Sequence, residues 1–170
     1  MKIPGFIFAL LFVFGSLTHG QDVDAVSDKA ADLEARLSKA LDSSPEAAQA
    51  MLELIDLYHA NGRVYGLVRT AKKFINAHPQ HPKHKDVMLK LIDGEVVNSL
   101  NDDLVSSCRQ FVQRYPKVRE SLEVQVRLGR TLERQNKRKE AANTFRDAAR
   151  RGGPLGNKAG FDALRLYGDL

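Results

Sequence analysis

The chain predicts an all-α fold: an α-solenoid of antiparallel helix pairs with about three repeats of ~37 residues, preceded by one N-terminal helix and followed by a terminal half-repeat. Three observations carry this. Apolar residues recur at steps of three and four, the spacing of one helix face. No segment alternates apolar and polar residues as a half-buried strand does. A shift of 37 residues also lays like on like: Leu54, Leu91 and Leu128 share a column, as do Leu52, Leu89 and Val126. Val68 falls on Val105, Phe74 on Phe111, Ile75 on Val112, and Pro79 on Pro116. Several columns at one offset mark units that bury their faces only against their neighbours.

Residues 1–20 open with Lys2, run through the apolar stretch Phe6–Phe14 and end in Ser16–Gly20, with small Thr18 and Gly20 at the two positions a signal peptidase inspects. This reads as a cleavable export signal. Its apolar core is well short of the roughly 20 residues that span a bilayer, so the mature chain, beginning near Gln21, is expected to carry no integral membrane span. No Cys lies near the cleavage site, which argues against a lipid anchor.

Residues 21–44 hold an amphipathic helix over 22–42, with Val23, Val26, Ala30, Leu33, Leu37 and Ala40 on one face. It is too short for an independent coiled coil and is expected to cap the first repeat. Ser43-Ser44-Pro45-Glu46 then ends it and starts the next helix through a capping box between Ser43 and Glu46. The repeat domain fills 45–170. Its first repeat pairs helices 45–60 and 63–77 around Asn61-Gly62, setting Met51, Leu54, Ile55 and Tyr58 against Val64, Leu67, Ala71 and Phe74. The second pairs 84–98 with 103–114, where Asp102 or Asp103 can cap. After Gly152-Gly153-Pro154 a last helix, roughly 158–170, repeats the first-arm pattern through Leu164, Leu166 and Leu170 without a partner helix, so the natural chain is expected either to end in this cap or to continue past Leu170.

The third repeat, 122–154, is the most specific stretch. Its first arm carries Leu122, Leu128, Gly129 and Leu132, and its second, beyond the turn at Asn136, carries Ala141, Phe145 and Ala148. Small Gly129 and Ala141 would let the two helices cross closely, with Phe145 filling the space beside them. These positions resemble, residue by residue, the small and large apolar sites of the tetratricopeptide repeat. The resemblance covers about 45–170 and departs in its 37-residue period against the family's usual 34, in the absence of Trp, and at Glu95, where an aromatic is common and Tyr58 fills the site one repeat earlier. A HEAT-like array is the other helical-pair solenoid compatible with the pattern. With the export signal, the chain is similar to bacterial envelope members of the family, which include outer-membrane assembly and cell-division accessory proteins and which hold peptides or proteins without doing chemistry.

Catalytic and cofactor motifs are missing. His78, His81 and His84 have metal-like spacing, but Pro79 and Pro82 interrupt it, which places them in a solvated inter-repeat loop. Gly152–Lys158 resembles a phosphate loop only in composition, lacks Gly-Lys-Ser/Thr, and reads as a turn. The single Cys, Cys108, aligns with Ala71 and is expected to be a buried thiol. No cofactor, metal or enzymatic activity is expected. Residues 21–100 hold 10 Lys+Arg against 12 Asp+Glu, net −2, whereas residues 101–170 hold 15 against 9, net +6. The basic half lacks interleaved aromatics, and an exported protein seldom meets nucleic acid, so nucleic acid is not an expected partner.

The resemblance implies a concave groove lined by the first arms: Gln49, Leu52, Asp56 and His59, then Asp86, Leu89, Asp93 and Val96, then Glu123, Val126, Arg130 and Glu133. Leu52, Leu89 and Val126 would form an apolar strip, free or covered by the N-terminal helix. The family's Lys and Asn carboxylate clamp is not found at these positions. The expected occupant is an extended or helical segment of an envelope protein with apolar anchors, its acidic end toward Arg130 and Arg134. The other reading is a helical accessory region of a longer envelope protein with a catalytic domain beyond Leu170.

Overall fold

The computed structural model describes residues 18–99 and 101–168, with side chains from Asp24 onward. Eight helices follow one another: α1 Thr18–Lys39, α2 Pro45–Ala60, α3 Val64–Ala77, α4 His84–Val97, α5 Asn101–Arg114, α6 Glu120–Arg134, α7 Arg138–Ala149 and α8 Gly153–Gly168. Each packs on the next, and no strand occurs among the described residues. The expected α-solenoid is the observed fold. The stretch read as an export signal lies outside the described residues apart from Thr18–Gly20, which form the first turn of α1.

Helix ends follow local chemistry. The Ser44 hydroxyl, not that of Ser43, caps α2 by accepting from the Ala47 N–H at 3.1 Å, with Pro45 in the first turn. Ser44 takes this role because it directly precedes Pro45, the first residue of α2; α1 ends at Lys39, three residues before the expected end at 42. The predicted turns form at Gly62 and Asn136, both in the left-handed region at φ +63° and φ +60°. Asp102 and Asp103 sit inside the first turn of α5 and do not cap it. Gly153 stands at φ +73° and opens α8 directly, so residues 153–158 are helix and not the expected turn. Proline suits this place, since Pro154 has no N–H to leave unsatisfied in a first turn.

The period contracts along the chain. First arms begin at Pro45, His84, Glu120 and Gly153, so their spacing falls from 39 to 36 to 33 residues. A uniform 37 describes the middle of the array only, which is why Phe145 comes 34 residues after Phe111 while Phe111 comes 37 after Phe74. All three rings are fully buried between paired helices, as expected. A Cβ on Gly129 would meet the Phe145 ring at 2.6 Å, so the close crossing depends on that glycine.

The core divides at α4. Val87 and Leu91 belong to an N-terminal cluster with α1–α3, whereas Met88 and Ile92 belong to a C-terminal cluster with α5–α8. In α1, Ala30 and Leu33 join the N-terminal cluster; α1 packs its backbone on α2, and Glu34 also reaches Arg69 of α3 at 2.6 Å. Met51, Leu54, Ile55 and Tyr58 are buried against Leu67, Ala71 and Phe74, with Val64 half-buried beside them. Leu166 is buried in the last helix, but Leu164, expected inside, is exposed, and Leu170 lies outside the described residues.

Candidate interaction site on the first-arm face

The first arms α2, α4 and α6 stand side by side, and their spacing is uneven. The backbones of α2 and α4 touch, as do those of α6 and α8, whereas α4 and α6 stand apart. The gap between α4 and α6, closed at one side by α8, is a depression of about 570 Å³ lined by Val96, Glu123, Val126, Arg127, Arg130, Glu133, Arg134 and Leu155. A smaller one of about 270 Å³ lies between α2 and the start of α4, lined by Gln49, Leu52, Glu53, Asp56, Lys83, Asp86, Val87 and Lys90. Two depressions thus lie on the face where the sequence places the groove.

The expected site residues divide accordingly. Val126, Arg130, Glu133 and Arg134 are brought together in the larger depression, and Leu52 and Asp56 in the smaller. His59, Leu89 and Asp93 line neither. The apolar strip is also less open than expected, because the arms lean their aliphatic residues into the core. Val126 is only 4% exposed, and Leu52 and Leu89 are half-buried against the N-terminal and C-terminal clusters respectively. α1 does not cover this strip along its length, since it touches no first arm beyond α2.

Sequence reasoning missed Leu155, Arg127 and Lys90. Leu155 was hidden by placing the start of α8 too late; Pro154 directly after two glycines was the available signal. Lys90 and Arg127 share a column at the 37-residue offset, and each reaches back one repeat. Lys90 donates to Asp56, and Arg127 donates to Asp93 at 2.6 Å. Asp56 and Asp93 likewise share a column, whose third member is Arg130. The acid that would continue the ladder is thus replaced by a base.

This substitution sets the electrostatics of the larger depression. Arg165 of α8 bonds Glu133 at 2.8 Å, and Arg127 is already engaged by Asp93. Arg134 donates to the Thr131 hydroxyl at 3.2 Å, a neutral acceptor. Arg130 is exposed and meets no carboxylate among the described residues. Two guanidiniums without a carboxylate partner therefore stand beside apolar Val96, Val126 and Leu155, with Glu123 also on the lining. Such a surface can hold a carboxylate near the arginines and an aliphatic side chain beside it.

Other chemistry-bearing groups are structural. His84 opens α4, is 4% exposed and bonds the Tyr115 hydroxyl at 2.9 Å, while His78 and His81 both lie against the Phe74 ring. The histidines are thus junction packing and not the solvated loop expected. Burial, with nearby Arg114 adding to it, pushes His84 below the usual imidazole range. No cluster of three potential metal ligands occurs among the described residues. Cys108 is fully buried, which pushes its thiol up to about 12 and leaves it inert as a nucleophile. Glu95 is fully buried too; it accepts from Ser107 at 3.1 Å and lies 3.5 Å from Lys72, while its second oxygen has no partner. Burial raises its carboxyl above the usual range despite both contacts.

The comparisons agree with this architecture. No family model matches the chain, and no curated protein matches it. Among solved structures, the chain is similar to a Podosopora anserina protein assigned to the kinesin light chains, with nearly identical TPR-like repeats, at a TM-score of 0.62 and 18% identity, covering 88% of this chain and 79% of that one. A single-substitution variant of that protein gives the same score and identity, covering 88% and 78%. The fold is a TPR-like helical repeat.

Proposed function

We propose that the protein is an exported, non-catalytic interaction scaffold of a bacterial envelope, holding a segment of a partner protein in the depression between α4, α6 and α8. The observation that carries this is Arg130, which stands beside Val96, Val126 and Leu155 in the column where Asp56 and Asp93 are acids and has no carboxylate partner among the described residues. The partner segment accordingly carries an acidic residue for Arg130 and Arg134 and an aliphatic anchor beside them. Export rests on Lys2, the Phe6–Phe14 run and the small residues at Thr18 and Gly20. Among the described residues no helix is long and apolar enough to cross a membrane.

Labelled peptides combining one aliphatic anchor with flanking Asp or Glu provide the test. Arg130→Glu and Val96→Glu are the informative substitutions, since both side chains are exposed, whereas Leu89 packs in the core and its replacement by Glu would damage the fold. Each should weaken binding at least about tenfold, a loss of roughly 1.4 kcal/mol, and wild-type binding should fall with added salt. Equal binding by both variants and the wild type would exclude this depression as the site.

A further inference from the structure

The first arms α4, α6 and α8 all begin at one edge of the stack, and the junctions before them, residues 78–83, 115–119 and 150–152, lie side by side there. Two arginines tie these junctions together. Arg114 donates to the Pro79 carbonyl, and Arg151 donates to the Val118 carbonyl at 3.3 Å and to the Ser121 hydroxyl at 3.0 Å. Arg114 and Arg151 stand 37 residues apart, and each reaches back one repeat. Their acceptors are neutral oxygens, so the bonds close the junctions without neutralising the charge. Lys117 and Arg119 stand between them in the chain, both exposed and without an ion pair among the described residues.

The acids beside these junctions are matched to other bases. Glu120 bonds Lys85 at 2.8 Å, Asp86 lies 3.7 Å from Lys83, and Asp147 lies 3.3 Å from Arg150 and 3.7 Å from Arg146. Glu123, one turn into α6, belongs to the lining of the depression between α4 and α6. Among the described residues this leaves four exposed cations in surplus, Arg114, Lys117, Arg119 and Arg151. Arg119 also holds the cap position of α6, where no side chain caps the helix and the positive end of its dipole adds to the field. None of the strongly exposed large apolar residues among the described residues lies at the three junctions. The rings of Tyr115, His78 and His81 pack against Phe111 and Phe74, so none is free for a nucleobase to stack on.

We infer that this edge docks the protein on an anionic lipid surface. A protein partner is ordinarily gripped through an apolar or aromatic centre within its interface, and these junctions expose none. Bases on the tips of adjacent junctions suit a surface whose negative charges are many and mobile. Each base near such a surface strengthens attachment about fivefold. Four together give a reversible contact that salt weakens, since charges are screened over about 8 Å at physiological ionic strength. The lining of the depression between α4 and α6 contains none of the four. The docking rests on the proposed function only for the envelope location that brings such a surface within reach.

Co-sedimentation of the purified full chain with a titration of vesicles provides the test, comparing pure phosphatidylcholine with equal parts of phosphatidylcholine and phosphatidylglycerol. Attachment through the apolar run Phe6–Phe14 would appear on both kinds of vesicle, so the difference in affinity reads the basic edge. Lys117→Glu with Arg119→Glu reverses two exposed bases of that edge, and Lys137→Glu with Lys139→Glu makes the same change of net charge at the opposite edge, where α7 begins. Circular dichroism confirms unchanged helicity in both. The wild type should prefer the anionic vesicles and lose that preference with added salt. The first variant should bind them at least about tenfold more weakly, and the second should stay close to the wild type. Equal affinity of the wild type for both vesicles would overturn the inference. Equal losses in the two variants would do the same, by assigning attachment to net charge and not to this edge. So would capture of poly-glutamate, lost in the first variant, by a protein that ignores anionic vesicles, which would mark the edge as a site for an acidic protein segment. The peptide assay on Arg130→Glu reads a different face, so the docking and the proposed function can fail separately.

Discussion

At the scale of single residues, burial decides the sign of each effect. Gly129→Ala would gain about 1 kcal/mol of helix propensity, but the new Cβ would stand 2.6 Å from a fully buried ring that has nowhere to move. Overpacking of this kind costs roughly 1–3 kcal/mol, so the substitution should lower the urea midpoint. A rise would mean that Phe145 can shift. Glu95 presents the opposite case. Leu132 holds the same column one repeat later, and Lys72 retains Asp103 at 2.8 Å if the glutamate is removed. Glu95→Leu should therefore stabilise the protein by about 1–4 kcal/mol at neutral pH, the range seen when buried ionic groups give way to packed apolar ones. Because the folded-state pKa of Glu95 is raised, its contribution is favourable below the ordinary carboxylate range and is lost as pH rises through the folded value. The advantage of Leu should accordingly shrink as pH falls toward that range, and urea unfolding at two pH values measures it. The sequence marked Glu95 as an anomaly in an aromatic position, but nothing local revealed that Ser107 and Lys72 would converge on it.

At the scale of elements, helix faces were legible and helix ends less so. The step of three and four identifies Met51, Leu54, Ile55 and Tyr58 because it reflects one periodic geometry, whereas ends depend on single contacts such as the Ser44 hydroxyl on the Ala47 N–H. The same limit explains the candidate site. Arg130, Glu133 and Arg134 share a helix face and were found together, but Leu155 required the true start of α8, and the two depressions required the uneven spacing of α4 and α6. The junction before α4 adds a pH effect of its own. His84 is held below its ordinary pKa, first by burial and then by Arg114, so the folded state resists protonation there. The stability this contributes is present above the ordinary histidine value of about 6.5 and is lost as pH falls through it. The thermal midpoint should drop between about pH 7.5 and about pH 5.5, and His84→Gln should flatten that dependence by removing the titrating group. An equally steep profile in the variant would assign the effect to another group.

At the scale of the whole molecule, the ion-pair ladders matter less to stability than their number suggests. Pairs such as Arg69–Glu34 and Arg109–Glu140 are exposed on both sides, and surface pairs contribute only about 0–1 kcal/mol each. Cohesion rests on apolar contacts between successive helices; α4 has buried residues in both core clusters, and half-buried Ile75 of α3 also packs against both. Stability in such an array is close to a sum of local terms and neighbour terms, so position along the chain should govern how damage spreads. Phe145→Ala removes a buried ring from α7, near one end, at a cost of about 3–5 kcal/mol. Exchange protection should then fall in α6–α8 while the N-terminal cluster around Met51, Ile55 and Phe74 keeps most of its protection. Phe111→Ala carries the same chemical loss but strikes α5, next to α4. It should loosen the C-terminal cluster from α4 onward and weaken the coupling through which the two halves melt together. Hydrogen exchange with mass spectrometry resolves these patterns by peptide. The comparison sets a local-plus-neighbour array against a single cooperative block: uniform loss of protection in all eight helices for both variants would mean that α4 joins the clusters into one unit and is not the seam between them.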